Sequence, residues 1–368
     1  MSRCALIMAG GTGGHVFPAL ALARQLRTEG WRVVWLGTQA GIEAHLVPEQ
    51  GFVLETISIS GLRGKGPLRA LLAPLMVLLA CAQSLMVLLR QRPDVVVGFG
   101  GFAAFPGGLM ATLLMRPLII HEQNAVAGLT NRILACCARR VFEGFPQSFK
   151  ARSRHPLARL FGVPRTVTWA GNPVRPEISG LAPPDQRFSG RGGVLQILVL
   201  GGSQGARALN TLIPQALALI PAEQRPHVLH QGGAKLMNIL RQSYREQGVE
   251  GELQPFIKNM AAAYAECDLV ICRSGALTMA ELAAAGVGSI LVPFPAAVDD
   301  HQTANARFFE AHGAARVMAQ SQLDPVVLAQ WLRSMTRHTL LVMALAARML
   351  AKPEATEDLA VACRELAL

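Results

Sequence analysis

Residues 10–15 read GGTGGH, set between an apolar run at 4–9 and a helical pattern that continues to about residue 26. Glycines at a strand-to-helix turn let backbone N–H groups close on an anion at the helix N-terminus. Both common phosphate signatures fail here. A dinucleotide turn needs G-x-G-x-x-G and an acid about 20 residues further on. Counted from Gly11, the last glycine position holds Val16, and the next strand ends in Gly37. A Walker loop needs Gly-Lys-Ser/Thr, and no lysine is near. His15 stands at the rim of the turn, where an imidazole serves as acid or base near neutrality. A helix-capping or packed histidine is the plainer alternative.

Three further clusters carry polar chemistry. IIHEQNAVAGLTNRIL places His121, Glu122 and Asn124 just past the end of an apolar run, the edge at which open α/β sheets bind ligands. A capping Asn and a surface Glu are the alternatives. DLVICRSGALTMAELAAAG (268–286) is again strand, glycine turn and helix. A helix starting at Ser274 or Gly275 points the N–H groups of Ala276, Leu277 and Thr278 outward, which favours a diphosphate. Glu281 falls about one and a half turns in, placed either for ribose hydroxyls or as a solvated helix residue. In PFPAAVDDHQ, Asp299 and Asp300 lead into a helix. Adjacent aspartates suggest a metal, but no D-x-D occurs in the chain, and an N-cap pair is the simpler reading.

The elements that must position these residues come in two sets. LQILVLGGSQGARALNTLI (195–213) repeats the opening pattern: Gly10, Gly11, Thr12 and Gly14 match Gly201, Gly202, Ser203 and Gly205. Apolar runs at 33–36, 94–98 and 118–121, then at 228–230, 269–272 and 289–292, predict parallel strands with helices between them. The pattern is two nucleotide-fold domains in tandem. AGNPVRPEI (170–178) is the expected hinge, since its prolines break regular structure. The charged tail after Pro353 either continues the second domain or crosses back to the first. Residues 70–89 hold no charge and are long enough for a membrane span. Pro74, Gln83 and Ser84 interrupt them, and a strand follows at once, so the expectation is a packed helix with an apolar exposed edge. Beside arginines, such an edge seats a domain on an anionic bilayer.

At 368 residues, 51% hydrophobic and 5% aromatic, the chain suits two α/β cores and excludes disorder. No signal peptide is expected before the first strand. Seven cysteines without CxxC pairs point to reduced thiols in a cytosolic setting. The net charge of +11 is uneven: residues 1–174 hold 18 Lys and Arg against 7 Asp and Glu, and residues 175–368 hold 17 of each. Nucleic acid, an anionic membrane or a polyphosphate ligand would each respond to that field. Few aromatics and no helix-turn-helix or RNP-like string argue against nucleic acid.

Taken in order, MAGGTGGHVFPALA, ISGLRGKG, HEQNAVAGLTN, GNPVR, GGSQGA, CRSGALTMAE and DDHQTANA resemble the MurG family, the bacterial peptidoglycan N-acetylglucosaminyltransferases of glycosyltransferase family 28. The likeness runs from Ala9 to the C-terminal helix. It implies an α/β GT-B fold, two Rossmann-like parallel-sheet domains facing a cleft. Residues 1–174 would take the acceptor and the membrane, with helix 353–368 crossing back; residues 175–352 would bind UDP-GlcNAc. The reaction implied is inverting transfer of GlcNAc to the MurNAc 4-hydroxyl of undecaprenyl-pyrophosphoryl-MurNAc-pentapeptide (lipid I), making lipid II at the cytoplasmic face of the inner membrane. That role lies in wall synthesis, cell shape and cell division; which cell-wall synthesis proteins the chain would meet stays open. No cofactor is required, and a divalent cation is at most stimulatory.

Carried over by position, the resemblance makes His15 the base, with His121 and Glu122 assisting or shaping the acceptor pocket. Thr12, Gly13, Gly14 and Asn124 line the donor site from the first domain. Arg175 and Ser203 hold the diphosphate, and Ile257 meets uracil through its backbone. Ala276, Leu277, Thr278, Met279, Ala280 and Glu281 cradle diphosphate and ribose, with Glu281 on the ribose hydroxyls. Gln302 reads the GlcNAc ring. Two departures stand out: Phe102 where relatives often have tyrosine, and Ala296 where histidine is frequent. The rival readings are another GT-B glycolipid glycosyltransferase, a UDP-GlcNAc 2-epimerase and, less favoured, a nucleic-acid-binding protein.

Overall fold

A computed structural model describes residues 2–59, 67–150, 166–202 and 205–367. The chain divides into two compact units, Met1–Val174 with Pro353–Leu368, and Arg175–Lys352. Unit 1 holds β1 (Cys4–Ala9), β2 (Arg32–Gly37), β3 (Val53–Thr56), β4 (Val95–Gly100), β5 (Leu118–Glu122), β6 (Arg140–Glu143) and β7 (Thr168–Trp169). They pair in parallel in the order β3-β2-β1-β4-β5-β6-β7. Unit 2 holds β8 (Gln196–Leu200), β9 (His227–Gln231), β10 (Glu252–Gln254), β11 (Leu269–Cys272), β12 (Ser289–Leu291) and β13 (Ala315–Val317). Their order is β10-β9-β8-β11-β12-β13, again all parallel. Both are doubly wound, Rossmann-like sheets. In each, strand order reverses beside the first strand, opening a crevice at the carboxyl ends of β1 and β4, and of β8 and β11.

The central strands read as unbroken apolar runs because helices cover both faces of a parallel sheet: every residue of β1, β4, β5 and β11 is buried. The apolar runs did not announce β3, β6, β7, β10 and β13. β3, β7, β10 and β13 are short and partly exposed, and β6, though mostly buried, begins at Arg140 and ends at Glu143, so none carries an apolar run.

Pro67–Gln91 is one helix of 25 residues between β3 and β4. By length and composition it is apolar enough to cross a membrane. Ala80, Cys81, Ser84, Val87 and Leu88 are buried, at the spacing of one helical face. Ala80, Val87 and Leu88 share a core with Leu6, Met8, Val34 and Leu36 of the sheet. Leu75 (65% exposed), Leu78 (67%) and Met86 (62%) do not join that core.

The helix Ala355–Leu366 packs on the helix Gly13–Thr28. Leu359, Ala360, Ala362 and Cys363 join the core that holds Leu22 and Leu26. Arg364 bonds Glu29 at 2.7 Å, and Gln25 donates to Glu357. This tail carries four acids and one arginine. Counted with it, unit 1 has a net charge of +8 and unit 2 of +3, a weaker contrast than the split at residue 174 suggests. All seven cysteines are free thiols, five buried, with Cys136 and Cys137 exposed.

Candidate active site

In unit 1 the glycine turn lies at the switch point. β1 ends at Ala9, Gly11 takes φ +87°, and the helix starts at Gly13 with Thr12 as N-cap. Thr12 gives that helix no side-chain cap, and its first turn holds no acid. The turn therefore keeps the character of an anion site. Across the crevice Gly101, at φ +86°, packs so closely that a Cβ there would meet the Gly10 carbonyl at 2.4 Å.

Half-buried His15 sits in the first helical turn. Its Nδ1 lies 3.2 Å from the Gly10 carbonyl and 3.3 Å from Thr12 Oγ1. A carbonyl only accepts, so Nδ1 carries the proton and Nε2 is the basic nitrogen. Glu43, fully buried, accepts from Gly11 N–H (3.0 Å), Thr38 N–H (3.0 Å) and Thr38 Oγ1 (2.8 Å). Gly10, Gly37 and Gly41 have no room for a Cβ beside its carboxylate. The motif reading missed Glu43: it sought an acid at the end of β2, whereas this one follows a turn later and points inward at the loop.

The HEQN cluster is built for positioning. His121 is fully buried; its Nε2–H donates to the Gly171 carbonyl at 2.8 Å, and Nδ1 accepts from Gln123 at 3.0 Å. Burial holds its pKa down at about 4. Glu122, also buried, accepts from Asn124 N–H (2.9 Å), Gly128 N–H (3.1 Å) and Asn131 Nδ2 (2.8 Å). These bonds engage both side chains and tie β5 to the loop that follows it. The cluster reaches His15: a Cβ at Gly100 would lie 3.3 Å from both Asn131 Nδ2 and the His15 ring, so the two motifs converge on the end of β4. Asn124 belongs to the same loop.

In unit 2, Gly275 is the N-cap of the helix Ala276–Ala285; no side chain caps it and no acid lies in its first turn. The backbone N–H groups of Ala276, Leu277 and Thr278 thus form an electropositive end. Buried Ser274 donates to the Gln302 carbonyl at 2.7 Å, and Asn305 Nδ2 donates to the Ser274 carbonyl at 3.0 Å. Gln302 Oε1 accepts from Phe294 N–H at 2.9 Å, which fixes which end of its amide is a donor. Met279 is buried and Ala280 half-buried.

Glu281 and Arg175, expected on ribose and diphosphate, are brought together as an ion pair. Arg175 donates from Nε (3.2 Å) and Nη2 (2.8 Å) to Oε1, while Tyr264 O–H donates to Oε2 at 3.1 Å. Burial and that carboxylate push the Tyr264 pKa well up. Ile257, expected to read uracil through its backbone, gives its N–H to Gln231 Oε1 at 3.1 Å. Asp300 is the N-cap of the helix His301–Ala311, but in a left-handed conformation and without a capping bond. Its Oδ1 accepts from Thr303 Oγ1 at 2.6 Å instead, which corrects the capping reading. Ser203 lies outside the described residues. Flanking it, Gly202 (φ +76°) and Gly205 (φ +79°) make the second glycine turn.

Two doubly wound sheets, each opening on a glycine turn, define the GT-B class of glycosyltransferase. Crystal structures with this fold include the calicheamicin glycosyltransferase CalG4, at 18% identity with a TM-score of 0.67 over the full length of both chains. Within that class, the chain belongs to glycosyltransferase family 28: the family's N-terminal domain matches residues 5–143 and its C-terminal domain residues 196–360. It is 56% identical to the UDP-N-acetylglucosamine--N-acetylmuramyl-(pentapeptide) pyrophosphoryl-undecaprenol N-acetylglucosamine transferase of Nitrosospira multiformis, over 100% of this chain and 99% of that one. The enzyme of the same description from Nitrosomonas eutropha is 55% identical over 98% and 99%. The crystal structure of Acinetobacter baumannii MurG superposes with a TM-score of 0.84 at 39% identity, covering 99% of each chain.

Proposed function

We propose that this protein transfers N-acetylglucosamine from UDP-GlcNAc to the MurNAc 4-hydroxyl of lipid I, forming lipid II. The observation that carries this reading is the full-length likeness, above 50% identity, to relatives described by that transfer. The geometry of each unit supplies what the chemistry needs.

The acceptor oxygen attacks the anomeric carbon, the bond to the diphosphate oxygen breaks with its electron pair leaving on UDP, and the configuration inverts. His15 Nε2 takes the hydroxyl proton, its imidazolium held by the Gly10 carbonyl at Nδ1. In unit 2 the N-terminus of Ala276–Ala285, the turn 201–205 and Arg175 meet the charge growing on UDP. Fixed dipoles aimed at developing charge are the usual large contribution, and on this reading no divalent ion is obligatory. Glu281 holds ribose hydroxyls, Ile257 meets the base through its carbonyl, and Gln302 donates to the sugar. Thr12, Gly13, Gly14 and Asn124 serve the donor.

The outward leucines of Pro67–Gln91, with Leu109, Leu113 and Met115 also exposed, seat unit 1 on the cytoplasmic face of the inner membrane as a peripheral protein. Arg116, next to exposed Met115, meets anionic headgroups. The test is transfer from labelled UDP-GlcNAc with and without a lipid I analogue, in EDTA and in magnesium. Lipid-dependent product in EDTA is expected. Turnover of UDP-GlcNAc without acceptor supports a 2-epimerase instead, and loss of all product in EDTA overturns the metal-independent step.

A further inference from the structure

The glycine turn of unit 2 has a buried support that the transfer chemistry leaves unused. Gly205, at φ +79°, folds directly over the end of β9: a Cβ there would strike the Gly232 carbonyl at 2.3 Å. The same carbonyl accepts from Asn210 Nδ2 at 3.1 Å. Asn210 is fully buried in the first turn of the helix Arg207–Ala218, the helix that the glycine turn launches. Its Oδ1 lies 3.2 Å from His230 Nε2, and His230 Nδ1 lies 3.2 Å from the Tyr244 hydroxyl. His230 is fully buried in β9, and Tyr244 is buried on the helix Met237–Glu246.

One carbonyl sets the direction of all three bonds. Gly232 can only accept, so Asn210 donates through Nδ2 and turns Oδ1 to His230. Nε2 must then donate, Nδ1 is left as acceptor, and the Tyr244 O–H points into the ring. An uncharged histidine satisfies every member, and burial, which depresses its pKa to about 3, keeps it uncharged. A satisfied buried network of this kind specifies one arrangement of the groups it joins.

We propose that Asn210 and His230 are positioning residues of the donor site, a chain from Tyr244 to Gly232 that holds Gly205 and the start of the helix Arg207–Ala218 in register for the nucleotide's phosphates. The proposal rests on the donor-site reading above, and its own observable is the backbone order from Gly205 into the helix Arg207–Ala218.

The test compares wild type with Asn210→Asp, His230→Leu, His230→Gln and Tyr244→Phe. Asn210→Asp keeps an acceptor for His230 but turns a second oxygen toward Gly232. It is expected to weaken UDP binding, read by calorimetry, roughly tenfold, the scale of one hydrogen bond in this setting. The KM for UDP-GlcNAc should rise while kcat at saturating donor and the KM for acceptor change little. Backbone hydrogen exchange should quicken across 195–213 and stay unchanged across 268–286. His230→Gln, with an amide N–H near the place of Nε2–H, should recover part of what His230→Leu loses. Tyr244→Phe, the mildest change, should act in the same direction and keeps the test valid if the others fold poorly. Folded variants that bind UDP within about twofold of wild type and exchange normally at 195–213 overturn the proposal. Wild type that fails to bind UDP overturns the donor-site reading instead, and the exchange comparison then still decides the positioning role.

Discussion

His15 owes its direction to a backbone carbonyl. With Nδ1–H given to Gly10, Nε2 is the nitrogen without a proton. His15→Ala is expected to lower turnover about 10²–10⁴-fold, measured as steady-state transfer with UDP affinity checked alongside; turnover near wild type in folded protein removes His15 from the proton transfer. His121 and His230 show the opposite environment. Their pKa values fall from 6.5 to about 4 and about 3 through burial, while the unfolded chain protonates near 6.5. Their stabilisation is complete above pH 6.5 and is lost as pH falls below it, by up to about 1.4 kcal/mol per pH unit for each histidine. Denaturant unfolding at pH 7.5, 6 and 5 should show this slope, and His121→Gln and His230→Gln should each flatten it. A flat profile for wild type contradicts the assignment. Residue types at the glycine turns were legible because their chemistry is local. The burial and bonding of His121 and Glu122 were not, because a buried, doubly bonded imidazole and a free one look identical in a string of letters.

Among the elements, the central strands were readable from apolar runs, whereas β3, β6, β7, β10 and β13 were not. Burial on both faces writes a signature; half-exposure erases it in four of these, and in β6 the charged ends Arg140 and Glu143 do. The helix Ala355–Leu366 illustrates a second limit. Its periodicity announces an apolar face but no partner, and only tertiary packing puts Leu359 against Leu22 and Leu26. Leu359→Ala is therefore expected to destabilise unit 1 by about 2–5 kcal/mol, as for other fully buried leucines. Thermal unfolding followed by a probe in each unit would show it; equal loss in both units, or none in unit 1, would contradict that packing. Glu43 belongs at this scale too. It stands at the start of the helix Glu43–Glu49, and only the folded chain brings its carboxylate to Gly11.

Over the whole molecule, charge and exposed apolar surface act together. Unit 1 combines a net charge of +8 with the outward leucines of Pro67–Gln91. Binding to vesicles containing anionic lipid should weaken with salt, since screening shortens the reach of the basic field, yet persist in part through apolar contact. Leu75→Glu with Leu78→Glu should remove the salt-resistant part and leave UDP binding unchanged. Salt-resistant binding that survives both substitutions would move the membrane contact elsewhere. By itself, the order of residues determined two α/β folds, their glycine turns and the family, because periodicity and turn chemistry are short-range properties. Tertiary structure alone decided that Arg175 pairs with Glu281, that Glu43 bonds Gly11 and Asn210 bonds Gly232, and that His121 and Glu122 are buried. Each of those depends on which groups long-range packing strips of water, and no local pattern encodes that.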